Sequence, residues 1–189
     1  MKDSPEQPKS IEELIKIIDE GAQLQYTFFW GHRQKRKSEV DKSCFSNWYP
    51  AAFKVGEHVY PTAEHYMMAA KARLFGDDEI FEQVFASDSP ADAKSLGRKI
   101  RGFDESKWLE NRFDIVVAGN LEKFSQNPDL KRFLVSTGTD ILAEASPVDQ
   151  IWGIGLASDA DEIGDPKRWK GLNLLGFALM EVREKLKQV

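Results

Sequence analysis

From residue 10 onward the chain alternates between apolar and polar positions whose spacing predicts its elements. Ile11, Leu14, Ile15 and Ile18 recur at helical spacing behind Ser10 and Glu13, a capping-box pair, so a helix is expected that stops near Gly21. Residues 25–30 are aromatic and β-prone and predict a strand. Residues 31–42, GHRQKRKSEVDK, are polar and mostly basic; they read as a solvated loop or as one that contacts phosphates. AFKVGEHVY, residues 52–60, predicts a hairpin turned by Gly56 and Glu57, with glycine first as a type II′ turn prefers. From Thr62 the period becomes helical, predicting helices over 62–75, 77–86, 89–99, 105–126 and 128–136, the third with Pro90 at its first position. Residues 139–146 predict a strand that feeds a glycine-rich loop, and a charged surface stretch follows to Trp169. Leu174, Leu175, Ala178, Leu179, Val182 and Leu186 space a final helix over 173–187. Residues 1–9 read as a flexible tail and 10–189 as a single domain, with no internal repeat or linker. The expected class is α+β, helix-rich with a few short strands.

Composition narrows the chemistry. A chain of 189 residues suits one domain with a sizeable core. A net charge of −5 argues against broad electrostatic binding to nucleic acid, although a local basic patch can still meet phosphates. Cys44 is the single cysteine, which rules out an internal disulfide and a thiolate metal site and fits a reducing, cytoplasmic setting. The polar N-terminus lacks a secretory apolar core, and no apolar run approaches the roughly 20 residues of a membrane span, so no membrane partner is expected.

Three polar clusters need a reason. In PTAEHYMMAAK, residues 61–71, Glu64 falls in the first helical turn, where a carboxylate supports its own helix. Lys71 shares its face two turns on, about 10 Å along the axis, so both side chains can meet one ligand lying along the helix. His65 points about 100° away and reads as a hydrogen-bonded structural residue. In SPVDQIWGIG, residues 146–155, Gly153 and Gly155 allow close backbone approach, while Asp149 and Trp152 offer an acid and a stacking ring. The bland reading is a turn with a buried tryptophan. In CFSNWYP, residues 44–50, Ser46 and Asn47 sit beside Phe45 in an aromatic frame that suits a planar base or sugar, or an Asx-type turn. Arg98, Arg101 and Trp108 are further candidates for phosphate or stacking contacts. There is no P-loop, H-E-x-x-H or G-x-S-x-G, and His32, His58 and His65 lack metal-site spacing, so no metal is expected.

As a set, these segments resemble the NADAR, or YbiA-like, family over about residues 26–187. The matching pieces are Phe45-Ser46-Asn47, the hairpin with PTAEHY, Lys71, the Ser89-Pro90 helix with Gly97-Arg98, Trp108, Asp149 with Trp152-Gly153, and NLLG leading into LMEVRE. The related pattern often has W-G-D-G where this chain has W-G-I-G, one carboxylate fewer. The resemblance implies N-glycosidase activity without a cofactor. It would act on phosphoribosylamino-pyrimidine intermediates of riboflavin biosynthesis or on ADP-ribosylated guanine in DNA, the latter pointing to a cognate ADP-ribosyltransferase toxin as partner. Both substrates carry a phosphorylated ribose joined at C1′ to an exocyclic nitrogen. Glu64 and Asp149 are then the candidate acid and base, unassigned between them, and Lys71 a nucleophile or a phosphate contact. Phe45, Ser46, Asn47, Arg98, Trp108, Trp152, Gly153 and Gly155 would bind substrate. The rival reading from another class is a non-catalytic module that binds ADP-ribose or NAD.

Overall fold

The computed structural model describes residues 7–36 and 39–188. In chain order they form α1 (Ile11–Asp19), β1 (Tyr26–Phe29), a 3₁₀ turn (Lys42–Phe45), β2 (Phe53–Val55), β3 (His58–Tyr60), α2 (Ala63–Leu74) and α3 (Asp78–Phe85). There follow α4 (Pro90–Gly97), α5 (Glu105–Gln126), α6 (Pro128–Ser136), β4 (Ile141–Glu144), a second 3₁₀ turn (Pro166–Arg168) and α7 (Leu174–Lys187). The class is the expected helix-rich α+β. Residues 1–6 of the expected tail, and Lys37 and Ser38 of the basic loop, lie outside the described residues. The tail's last part is held: Gln7 donates to Glu184 at 3.0 Å, and Pro8 is buried.

Helix starts follow from side-chain caps. Ser10, Thr62, Asp77, Ser89 and Asp104 each accept a backbone N–H from the first turn that follows, satisfying donors a helix end otherwise leaves open. In the hairpin, Val55 pairs with His58, and Gly56 has φ +59°. Asn173 is the one non-glycine at positive φ among the described residues, so Glu57 keeps a negative φ and the turn is type II′.

The chain divides into two compact units, residues 31–131 and the remainder. In the first, α2 packs against α3, α4 and α5. That surrounds α2, and it explains why its buried residues Ala63, Glu64, His65, Met67, Met68, Ala69 and Ala72 do not form one narrow stripe. Two glycines permit the close approach. A Cβ at Gly97 would collide with Met68 Sδ, and one at Gly119 with the Tyr66 ring.

In the other unit β1 and β4 pair in parallel, Tyr26 opposite Ile141 and Phe29 opposite Glu144. α7 packs on β4. Asn173, wholly buried at φ +52°, works as an extra strand partner: its amide donates to Leu142 O at 2.9 Å and accepts from Glu144 N–H at 3.0 Å. Ala143, Ala145, Ile154 and Leu156 form a small core, covered by Phe28, Ile163 and Trp169.

Candidate active site

The geometry around α2 begins at the turn before it. Asp41 Oδ1 accepts Ser43 N–H at 2.8 Å and starts the 3₁₀ turn. Ser46 Oγ accepts Trp48 N–H at 3.1 Å and closes the next turn. The Asn47 carbonyl then accepts the Glu64 amide at 2.9 Å, which fastens this turn to the first turn of α2. Asn47 Oδ1 accepts from Asn120 Nδ2 at 3.0 Å. Ser46 and Asn47 are thus buried positioning groups. Phe45 is wholly buried, 6.3 Å from the Phe124 ring, so its ring packs in the core rather than offering a face to a ligand.

Glu64 is 3% exposed, an unusual burial for a carboxylate. His65 is buried beside it, Nδ1 2.8 Å from Thr62 Oγ1 and Nε2 3.2 Å from Ser87 O. A carbonyl accepts only from N–H, so Nε2 carries the proton and Nδ1 accepts from the threonine hydroxyl. Burial lowers the imidazole pKa and keeps it neutral. His65 is structural, as its direction on the helix suggested.

Lys71 is half-buried. Its Nζ donates to Gly97 O at 3.0 Å and lies 4.6 Å from the Phe103 ring centre and 5.2 Å from that of Trp108. Gly97 is also the residue on which Met68, one turn earlier, packs, so the lysine arm leans back along α2. Desolvation lowers the amine pKa. The result is a cation held by one carbonyl and two aromatic faces, with its proton weakened. Arg98, next in the chain, is exposed and open to an anion. Arg101 is not: it binds Asp77 at 2.6 Å and Glu79 at 3.0 Å and serves to tie the start of α3 to the segment after α4.

In the other unit Asp149 Oδ1 accepts the amides of Ile151 at 2.9 Å and Trp152 at 2.8 Å, and its own N–H donates to Ser146 Oγ at 3.2 Å. Asp149 therefore shapes the turn that carries the half-buried Trp152. Gly153 is needed because a Cβ there would meet Asp149 O and Glu144 O at 2.9 Å each. Gly155 has φ +69°. The carbonyls of residues 151–153 accept the amides of Asn173, Leu174 and Leu175, which finishes the N-terminus of α7 without a side-chain cap.

The unit built on α2 thus carries Ser46 and Asn47 in the turn bonded to Glu64, and Lys71 beside Trp108 and the Gly97–Arg98 step, while Asp149, Trp152, Gly153 and Gly155 lie in the unit built on β4. Three contributors were not read from the sequence: Phe103, Asn120 and Lys123. The last two lie on the same buried stripe of α5 as Val116, Val117 and Phe124, and that stripe was the available signal. A groove of about 1190 Å³ beside Ile17, Phe177 and Met180 holds none of the candidate residues. Among the described residues no group of three or more His, Cys, Asp or Glu could hold a metal ion, and no helix is long and apolar enough to cross a membrane.

Comparison with known proteins agrees with the motifs. Residues 28–187 match the NADAR domain. An N-glycosidase of Acanthamoeba polyphaga mimivirus is 44% identical over 168 residues, covering 86% of this chain and 97% of that protein. A riboflavin biosynthesis protein of Vibrio vulnificus is 34% identical over 143 residues, covering 76% of this chain and 35% of that protein. The solution NMR structure of the E. coli protein YbiA superposes with a TM-score of 0.67 at 28% identity, covering 88% of each chain.

Proposed function

Because this chain belongs to the NADAR family, we propose that it is an N-glycosidase that hydrolyses the bond between C1′ of a phosphorylated ribose and an exocyclic nitrogen of a heterocycle. The names of its relatives support that bond class, one being an N-glycosidase and another a riboflavin biosynthesis protein. The observation that carries the chemistry is Lys71, an amine with a lowered pKa held against two aromatic rings. A neutral amine is a nucleophile, and partial burial shifts the lysine toward that form.

Lys71 Nζ bonds to C1′ as the C1′–N bond breaks, and the departing nitrogen takes a proton from the Glu64 carboxyl. The ring oxygen then leaves C1′ with a proton, giving a protonated imine. Water adds at C1′, the C1′–Nζ bond breaks, and the sugar is released as an aldehyde that recloses. Glu64 recovers its proton from the water. Trp108 and Arg98 are proposed to bind the heterocycle and a phosphate, Ser46 and Asn47 to set the position of Glu64, and Asp149 to hold the Trp152–Gly153 turn.

A phosphoribosylamino-pyrimidine is the favoured substrate, in keeping with the negative net charge and the Vibrio relative. ADP-ribosylguanine in DNA is the second reading, favoured by Arg33, Lys35 and Arg36, all exposed on a loop shaped by a 2.9 Å bond from Lys35 N–H to Asp41. Incubation with each substrate separates them by which free base appears. Binding of ADP-ribose with no base released from either substrate leaves a non-catalytic module instead.

A further inference from the structure

We infer that Lys123 is a positioning residue of the N-glycosidase reaction, clamping the Cys44–Asn47 turn so that Glu64 is held in its working place. The inference rests on the proposed function for its kinetic readout, but its geometric content stands apart from it. Lys123 is wholly buried on α5. Its Nζ donates to two carbonyls of one turn, Cys44 O at 2.7 Å and Ser46 O at 2.9 Å. Three residues earlier on the same face, Asn120 donates to the side chain of the next turn residue, Asn47, at 3.0 Å and to Val116 O at 3.0 Å. Asn47 in turn accepts the Glu64 amide. An unbroken series of bonds therefore runs from α5 through the turn to the first turn of α2.

Filling this space needs no amine. Lys123 Nζ lies 5.7 Å from the Tyr49 ring centre and 5.1 Å from that of Phe124, and a methionine would pack there at no desolvation cost. What an apolar residue cannot do is bind two carbonyls of one turn at once. The amine thus sets geometry, and a small shift of Glu64 is enough to spoil a reaction whose groups must align to a fraction of an ångström.

The surroundings weaken the amine's hold on its third proton, while either charge form keeps the two N–H donors the carbonyls need. Burial pushes the Lys123 amine down to about 7. The titratable groups that face it are the Cys44 thiol, pushed up to about 12 by burial, and the Tyr49 phenol, also raised; Asp41 acts on both. None of the three changes charge near neutrality, so among the groups that face one another here the amine alone titrates there.

The test has two readouts on the full chain. In Lys123→Met, folded as judged by circular dichroism, the Glu64 amide should exchange with solvent at least about tenfold faster than in wild type. In the same variant kcat on a phosphoribosylamino-pyrimidine should fall by roughly 100-fold, with KM nearly unchanged. Unchanged Glu64 amide exchange overturns the inference whether or not the wild type turns over. Wild-type protein that releases no base counts against the proposed function alone, because the exchange readout still decides this one. If Lys123→Met does not fold, wild type suffices. The Asn47 and Glu64 amide resonances should titrate together with the Lys123 side chain, and resonances that stay still through its titration contradict the clamp.

Discussion

Replacing Lys123 by methionine should change how stability depends on pH, and the size of the change follows from the structure. The buried amine titrates at about 7 in the folded protein against 10.5 for an ordinary lysine. The unfolded chain therefore holds a proton that the native protein has released. With the folded pKa below the unfolded one, the contribution to stability is present above the unfolded value and is lost as pH falls through the folded one. Cys44 works in the opposite sense. Its thiol is raised to about 12 from 9.0, so its contribution is present below 9 and is lost as pH rises beyond. Between about pH 7 and 8.5 the Lys123 effect is thus the larger, and integrating the proton difference over that interval amounts to roughly 1.5–2 kcal/mol. Urea unfolding of wild type and Lys123→Met at both pH values measures it, with tryptophan fluorescence and far-ultraviolet circular dichroism required to coincide. Wild type should gain that amount relative to the variant on going to the higher pH. A difference between the two proteins that stays constant within about 0.5 kcal/mol, the usual scatter for sites that do not interact, refutes the titrating amine.

Other perturbations probe the scaffold and the substrate. Gly97→Ala pushes a Cβ into Met68 Sδ, an overpacking of about 1–3 kcal/mol, and should lower activity more than melting temperature suggests, because Gly97 O also holds Lys71. Asn173→Ala removes two bonds to β4 and places alanine at φ +52°, so urea unfolding should show a loss of about 3 kcal/mol or more. Neutralising Arg33, Lys35 and Arg36 with glutamine should leave turnover of a mononucleotide unchanged; a loss confined to an ADP-ribosylated oligonucleotide, steeper at low salt, marks a strand-binding loop.

The elements that carry the site were largely legible, for local reasons. Thr62, Asp77, Ser89 and Asp104 announce helix starts through their own side chains, and Gly56 announces its hairpin. What could not be read was long-range. The parallel pairing of β1 with β4 joins residues over a hundred positions apart, and nothing local in Tyr26–Phe29 names Ile141–Glu144 as its partner. Asn173 stands at the start of the final helix, yet its side chain serves a strand, which depends on where β4 lies. Phe45, beside Ser46 and Asn47, reads as part of a ligand-binding frame, yet its ring is core, and Lys123, which no motif singles out, is wholly buried. Burial of a charged group depends on its neighbours in space, here the carbonyls of a turn 77 and 79 residues away.

Whether Lys71 opens the glycosidic bond as an amine nucleophile is decided by trapping the covalent intermediate. Wild-type protein turning over a phosphoribosylamino-pyrimidine is treated with borohydride, and its peptides are mapped by mass spectrometry. A reduced ribose-phosphate adduct on the Lys71 peptide, absent from Lys71→Met, is the predicted result. Continued release of free base with no adduct on Lys71 contradicts it and leaves the lysine a bound cation.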